Sequence, residues 1–202
     1  MSIRLTVRHL LAAAMIFGLG ACSDGFRTAY ETPVGASSWR VADVRVSVPD
    51  SLTVSEENIL LPAADIVWQE EPKGDRRAQV DAIMTAAIKR GAAGARGPRP
   101  VVFDVTMTRF HALTMAAETR APAGVHDVEF DLTVRDATSG AVVYGPKHVE
   151  ASLPAMTGTQ MALARMDGQT QKSQISAHVA RTIAGFLGIG RDARYEFNSL
   201  GG

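Results

Sequence analysis

Residues 128–140 read VEFDLTVRDATSG, and this stretch decides the fold class of the chain. From Val128 to Val134, apolar side chains alternate with polar or charged ones, which is typical of a strand with one buried face. Residues 136–140 combine Asp, Thr, Ser and a closing Gly, the composition of a turn between two strands. Residues 141–144 begin a return strand, so the stretch predicts a β-hairpin with one apolar and one polar face.

The same alternation predicts further strands on both sides of the hairpin, and apolar residues three and four positions apart predict two helices. In chain order the predicted elements are strands at 39–48 and 65–69, a helix at 76–90, a strand at 101–110, the hairpin strands at 128–135 and from 141, and a helix at 168–187. This β-β-α-β-β-β-α order predicts the α+β class, with an antiparallel sheet and two helices packed on one face. The polar face of the strands would then meet solvent or a partner.

The first predicted helix carries signals at both ends. Asp75 is a suitable N-cap, and Gly91 is a natural residue to follow the last turn. The segment 91–100, rich in glycine and arginine, is therefore predicted to be a loop. Glycine amides and arginines could bind an anion there, but nucleotide-binding loops lead from a strand into a helix, whereas this segment leads from a helix into a strand. A flexible connector is favoured.

Composition restricts the class of protein. The chain has 202 residues, with 21 Lys and Arg, 21 Asp and Glu, and a formal net charge of zero. This balance argues against a dedicated nucleic-acid-binding protein, which would carry an excess of basic residues. The single cysteine excludes an intramolecular disulfide and a zinc site built from several thiolates.

The N-terminal residues have the form of a secretory signal. Residues 1–9 contain two arginines and no acidic group, and residues 10–18 form an apolar run that is too short to cross a membrane. Leu19, Ala21 and Cys22 follow, and they resemble the Leu-x-(Gly/Ala)-Cys lipobox of bacterial lipoproteins. The resemblance implies that Cys22 becomes the new N-terminus and is acylated. An ordinary secretory signal with an incidental cysteine is the alternative.

This resemblance divides the chain into four parts. Residues 1–21 are predicted to be a signal peptide, 22–38 a lipidated tether, 39–189 a single periplasmic α+β domain, and 190–202 a flexible tail. In lipoproteins of the enterobacterial type, Asp after the cysteine favours retention at the inner membrane. Ser23 stands there in this chain, which favours the outer membrane. Cleavage would remove two basic residues and no acidic ones, leaving a slightly acidic domain that is less suited to anionic surfaces.

The whole pattern resembles small proteobacterial envelope lipoproteins, several of which form families of unknown function. It combines a lipobox, a strand–helix–strand unit and the hairpin sequence at 134–140. The architecture is loosely similar to auxiliary lipoproteins of ABC-type lipid transporters and to the lipopolysaccharide-assembly lipoprotein. This likeness implies a domain that binds an envelope protein partner, and it transfers no functional residue except Cys22.

Candidate catalytic and metal-binding residues are few. His126 and His148 are equally distant from the centre of the hairpin, so an ideal register would let them share a metal ion or a proton. The spacing fixes no acidic third ligand, and surface histidines at strand ends are favoured. Asp104, Glu129 and Asp131 alternate outwards and could act as an acid–base pair, but a solvated charged face is the ordinary case. Since the sequence contains no GxSxG or HExxH motif, we predict no catalytic site, no metal site and no cofactor.

Two tryptophans are possible partner contacts. Trp39 lies where the predicted tether meets the domain, and Trp68 lies on a possible edge strand, although core packing suits both equally well. The sequence therefore predicts a membrane-anchored, non-enzymatic accessory or binding protein of an envelope transport or assembly system. The alternatives are a lipid or small-molecule carrier, which needs an apolar cavity, and an envelope-polymer hydrolase, which needs a convergent polar site.

Overall fold

The structure is a computed structural model that describes residues 25–197. The predicted signal peptide and Cys22 lie outside the described residues, as do residues 198–202 of the predicted tail. Every structural statement below concerns the described part of the chain.

Eight strands and four α-helices are found between residues 25 and 197. The strands are β1 (Thr28–Ala29), β2 (Trp39–Ser47), β3 (Val54–Ser55), β4 (Ile66–Val67), β5 (Arg99–His111), β6 (Gly124–Asp136), β7 (Val142–Ala151) and β8 (Leu153–Ala155). The helices are α1 (Arg76–Ala92), α2 (Met115–Arg120), α3 (Gly158–Met166) and α4 (Gln171–Phe186). Two short 3-10 helices cover Ala36–Ser38 and Ala193–Tyr195. In this range, no helix combines the length and apolar character needed to cross a membrane.

The predicted hairpin is confirmed and forms the centre of one sheet. β6 pairs antiparallel with β7 on one side and with β5 on the other, in the strand order β1-β7-β6-β5-β4-β3. The sheet is mixed, however, and the prediction of a purely antiparallel sheet is wrong. β2 runs parallel to the first part of β5, and β4 runs parallel to its last two residues. Because α1 crosses over between β2 and β5, the chain returns to the same end of the sheet and enters β5 in the direction of β2.

The two long helices pack on each other and cover the apolar face of the sheet. The ring of Phe103 from β5 meets that of Phe186 from α4 edge to face, with centroids 6.1 Å apart. Val128, Phe130 and Leu132 of β6 are fully buried in the same core. The shorter α2 and α3 are absent from the predicted order, which contains two helices. Arg165 of α3 holds Glu118 of α2 through two hydrogen bonds of 3.0 and 2.7 Å.

The ends of α1 show one confirmed signal and one wrong one. Asp75 is the N-cap as predicted, and its Oδ1 accepts hydrogen bonds from the backbone amides of Arg77 and Ala78. Gly91 does not follow the last turn; it lies inside the helix, which continues to Ala92. Its role is close packing, because a Cβ atom on Gly91 would lie 2.4 Å from the carbonyl oxygen of Ala180 in α4.

The two ends of the described chain pack together against the sheet. Part of the predicted tether is not a linker but belongs to the fold. It contributes β1, which pairs with the end of β7, and the buried Tyr30. The Tyr30 hydroxyl donates to Asp192 at 2.8 Å and accepts from the amide of Ala193 at 3.0 Å. Burial and the hydrogen bond to Asp192 raise the pKa of Tyr30 to about 12. The predicted flexible tail thus begins with a packed segment around the fully buried Ala193.

A buried histidine ties β1 to α4. The hydroxyl of Thr28 donates to the carbonyl oxygen of Ser152 at 3.0 Å, so it accepts from Nε2 of His178, which lies 2.8 Å away. Nδ1 of the same ring lies 3.3 Å from Nη2 of Arg181 and can accept from it as a neutral imidazole. Burial and the charge of Arg181 lower the pKa of His178 to about 4.

Candidate functional site

The face of the sheet opposite α1 and α4 carries polar side chains and is only partly covered. We call it the open face, defined by the outward-facing residues of β5, β6 and β7. Asp104, Thr106, Glu129, Asp131 and His148 all lie on it, and Thr106 is exposed. The sequence produces this face because the polar members of the alternation in each strand fall on one side. The predicted outward orientation of the three carboxylates is confirmed.

A β-bulge in β5 shapes the open face near one end. Met107 lies opposite Phe130 and Arg109 opposite Glu129, so Thr108 is the extra residue. The bulge lets both Thr108 and Arg109 line the same depression, where regular alternation would send one of them into the core. Among the described residues, the buried hydroxyl of Thr108 has no hydrogen-bond partner.

This depression is a cleft of about 520 Å³. It lies between the described N-terminal residues and the strands β5, β6 and β7. Its lining residues are Gly25, Phe26, Thr108, Arg109, Asp127, Glu129, His148, Glu150 and Ser152. Both charge signs are present in a small volume, which is suited to binding a polar or charged group.

Ion pairs fix the side chains in the floor of the cleft. Nε of Arg109 binds the buried carboxylate of Asp127, which also accepts a hydrogen bond of 2.7 Å from the hydroxyl of Ser152. Arg27 holds Glu150 in a two-pronged pair with both N–O distances at 2.8 Å. Paired guanidinium and carboxylate groups of this kind define the geometry more than they stabilise the fold, because Arg27 is about half exposed.

His148 lies between two carboxylates at the edge of the cleft. Its Nε2 is 3.2 Å from Oε2 of Glu129, and its Nδ1 is 3.0 Å from Oδ1 of Asp131. Burial and the nearby carboxylate of Asp127 raise the pKa of Glu129, while His148 acts in the opposite direction. The cleft therefore holds a carboxyl group whose charge is only partly compensated by its neighbours.

A second cleft of about 520 Å³ adjoins the first. Phe26 and Arg109 contribute to both, and the far side of the second is built from His111 and the loop before β4, including Leu61 and Pro62. The two clefts together extend from the open face to the loop before β4.

The tryptophans predicted as possible partner contacts are core residues in the structure. Trp39 is almost fully buried and its ring lies 6.3 Å from that of Tyr144. Trp68 is fully buried, meets Phe110 edge to face at 5.7 Å, and donates from its indole nitrogen to Glu71 at 2.9 Å. Neither side chain offers an accessible contact surface, so their energetic role is packing.

The two hairpin histidines do not meet. Irregularities between β6 and β7 place His148 opposite Asp131, while His126 precedes that pairing and lies opposite Leu153 of β8. His126 is also fully buried, contrary to the preferred surface position, and neither of its ring nitrogens has a partner among the described residues. Between residues 25 and 197, no group of three or more His, Cys, Asp or Glu side chains is arranged to hold a metal ion.

The glycine-rich segment after α1 serves packing. A Cβ atom on Gly97 would lie 2.1 Å from the carbonyl carbon of Ser38, and the amide of Gly97 donates to the carbonyl oxygen of Trp39 at 2.9 Å. This close backbone approach lets the chain enter β5 directly beside β2. The segment is therefore a tight connection and not a loose connector.

Several cleft residues were missed in the sequence analysis. Arg109 lies beyond the bulge, where strict alternation fails, and Asp127 lies one residue before the predicted hairpin. Arg27 lies in the predicted tether. A usable signal did exist for Asp127, because it continues the polar series of Glu129 and Asp131 by one more alternate position.

Comparisons with known proteins give a family and several loosely similar structures, including the following three. A candidate lipoprotein from Caulobacter crescentus CB15 shares 16% identity with the chain, over 76% of this chain and 90% of that one, with a TM-score of 0.38. A PelC dodecamer from Paraburkholderia phytofirmans shares 16% identity, with the same coverages and a TM-score of 0.35. An uncharacterised protein shares 20% identity over 76% of this chain and 96% of that one, with a TM-score of 0.31. No curated protein matches the chain. A family model matches residues 39–201, and the chain therefore belongs to DUF6778, a family of unknown function.

Proposed function

We propose that this chain is a periplasmic lipoprotein, anchored through acylated Cys22, that acts as a non-enzymatic binding component of an envelope transport or assembly system. One observation carries the proposal: the cleft on the open face is lined by Gly25, three residues after Cys22. Three residues span at most roughly 10 Å, so the anchor would hold the cleft close to the membrane. The Ser that follows Cys22 favours the outer membrane.

The close packing of the core between the sheet and the helices supports binding at the protein surface over binding inside the core. The largest core side chains, including Phe103, Phe130 and Phe186, are fully buried between the sheet and the helices. The charged groups of the cleft are held in pairs, which is the arrangement of a surface that recognises a complementary partner. We therefore assign recognition to the open face and expect a protein partner with both charge signs.

Site-specific crosslinking tests this assignment. A photo-crosslinking amino acid in place of the exposed Thr106 is expected to form one discrete adduct in intact envelopes. The matched control replaces Ala86, an exposed residue of α1 on the other side of the sheet, and should form no such adduct. Glu129→Lys in the Thr106 variant should abolish the adduct, because it reverses the charge beside His148. Equal patterns from both positions would refute binding through the open face.

Replacement of Cys22 tests the anchor. Cys22→Ser is expected to leave the chain without acyl groups, so that it accumulates as an unprocessed or a soluble form. The physical reason is that two or more acyl chains are needed for firm attachment to the membrane. Mass spectrometry of the mature N-terminus and membrane fractionation measure the change. An unmodified Cys22 in a protein that still fractionates with membranes would contradict lipidation.

The second candidate function is that of a carrier, and a separate cleft favours it. A cleft of about 540 Å³ lies beside α4 and β8 and exposes more apolar than polar lining, with Leu153, Met156 and Phe197 among its residues. Native mass spectrometry of the protein purified from envelopes would detect a bound lipid or small molecule. Loss of such a ligand on Met156→Asp, with the Thr106 adduct unchanged, would favour the carrier.

A further inference from the structure

Three consecutive apolar side chains project from the loop that precedes β4. Ile59, Leu60 and Leu61 are 49%, 54% and 81% exposed. Phe26 and Met115, each almost half exposed, lie on either side of them: Phe26 shares a cleft with Leu61, and the hydroxyl of the residue before Met115 binds the carbonyl oxygen of Ile59. We call these five residues the apolar tip. An exposed group of this kind is typical of a surface that binds a partner or a membrane.

The loop that carries the tip is fixed in place. Arg76 binds both carboxylate oxygens of Glu56 at 2.6 and 3.0 Å, ahead of the tip. The side chain of Asn58 accepts from the amide of Ala116 at 2.7 Å, and the hydroxyl of Thr114 donates to Ile59 at 2.6 Å. Exposure of the three apolar residues is therefore a property of a held conformation, and it does not follow from a lack of local contacts.

A second contact fixes the loop after the tip. The ring of His111 at the end of β5 lies 3.1 Å from the carbonyl oxygen of Pro62. The hydroxyl and amide of Thr53 both bind the carboxylate of Asp65 at 2.6 and 2.8 Å. Hydrogen bonds thus hold the backbone on both sides of residues 59–61 while the side chains point outwards. A preformed projection of this kind has little conformational entropy left to lose on binding.

The short stretch of chain between Cys22 and the tip indicates that the tip faces the membrane. Phe26 follows Cys22 by four residues, which span at most roughly 14 Å. An acyl chain on Cys22 therefore places the bilayer within reach of Phe26 and of the cleft that it shares with Leu61. The tip is a projection of exposed apolar side chains, and such a projection can enter a lipid surface without a complementary groove.

We propose that the apolar tip inserts into the boundary between head groups and acyl chains of the membrane that holds Cys22. The inference rests on the proposed lipid anchor and adds an orientation to it: the loop faces the bilayer, with the open face beside it. Glu56, Glu57 and Asp65 flank residues 59–61 in the sequence, so we expect the insertion to depend on apolar contact and to gain little from anionic lipids.

Fluorescence of labelled full-length protein tests the orientation. Because acylation blocks Cys22, a Leu61→Cys variant carries a single free thiol for an environment-sensitive fluorophore. The lipidated variant is reconstituted into vesicles of phosphatidylethanolamine and phosphatidylcholine that contain lipids with a quencher in the acyl chain. Val142→Cys is the matched control, since it is equally apolar, half exposed, and placed in β7 opposite Arg135, far along the strands from His111.

We expect at least fivefold stronger quenching at position 61 than at position 142, with a blue-shifted emission at 61. Equal quenching at both positions would overturn the proposal. A blue shift without vesicles that grows with protein concentration would show that a second copy covers the tip, which also overturns it. Acylation is measured in the same sample by mass spectrometry, so a missing anchor is distinguished from a misplaced tip.

Flotation of the unacylated chain separates the tip from the anchor. A chain that starts at residue 22 and carries Cys22→Ser, and so lacks the apolar signal segment, is expected to float weakly with the same vesicles, and Leu60→Asp with Leu61→Asp should reduce the bound fraction at least tenfold. Replacing 30% of the lipid with phosphatidylglycerol should not increase binding. Unchanged flotation of the double variant would contradict insertion, and near-native melting of that variant would show that it still folds.

Discussion

Replacing His126 with leucine is expected to raise the free energy of unfolding by about 1–3 kcal/mol at pH 7. The imidazole is fully buried in β6, and neither nitrogen has a hydrogen-bond partner within the described structure. A neutral imidazole still carries one N–H donor, whose lost hydration is not replaced in the folded state. Leucine fills a similar volume without this cost. Denaturant unfolding monitored by circular dichroism measures the change.

The same substitution is expected to reduce the pH dependence of stability. Burial, with a smaller effect from His111, lowers the pKa of His126 to about 3, compared with 6.5 for a free histidine. Between these values the unfolded chain binds more protons than the folded one, so stability falls as the pH falls below 6.5. At pH 4 this effect of His126 reaches about 3 kcal/mol. The slope that remains in the leucine variant comes in part from His178, whose pKa is also lowered.

An exposed histidine provides the control. His148→Gln removes an imidazole that is 45% exposed between two carboxylates, and it should change stability by no more than about 1 kcal/mol at pH 7. If His126→Leu instead destabilised the protein, the buried ring would have a partner such as an ordered water molecule. That result would contradict the desolvation argument.

Replacing Gly91 with alanine is expected to lower the free energy of unfolding by about 2 kcal/mol. The new Cβ would lie 2.4 Å from the carbonyl oxygen of Ala180 and 2.9 Å from the Cβ of Ile183. These atoms belong to the backbone and core of α4, so α1 and α4 must move apart. The overpacking cost of about 3 kcal/mol exceeds the gain of about 1 kcal/mol in helix propensity. Thermal unfolding measures the difference.

Gly94→Ala is the matched control for this substitution. Its Cβ would meet only the end of the Ile189 side chain, 3.2 Å away, which can rotate aside. We expect a change within about 0.5 kcal/mol. If Gly91→Ala left the free energy of unfolding unchanged, that result would contradict the close crossing of α1 and α4.

Local patterns predicted the individual elements better than their arrangement. The alternation from Val128 to Val134 and the cap at Asp75 depend on neighbouring residues, and both are confirmed. The parallel direction of β2 depends on how α1 connects it to β5, which no local pattern encodes. Gly91 shows the same limit, because a glycine after a helix and a glycine at a helix crossing have the same sequence context.

The candidate site was predicted in part. Alternation placed Glu129 and Asp131 on an open face, but the bulge at Thr108 shifts the register by one residue and adds Arg109. A bulge depends on pairing between strands, so it lies beyond a pattern within one strand. Lipidation, binding and location at the envelope remain predictions that await the experiments above.

The contacts of β1 and Tyr30 also set the volume that the anchored domain can explore. A flexible linker of 16 residues, as predicted for 23–38, would have a root-mean-square length of about 22 Å. Because the chain is packed from Thr28 onwards, only five residues separate Cys22 from the first strand. The domain would then diffuse with the lipids in the plane of the membrane. Its effective concentration would be high for partners in the same membrane and almost zero for a partner on the far side of the periplasm. If Cys22 is acylated as proposed, a partner would have to come to this membrane.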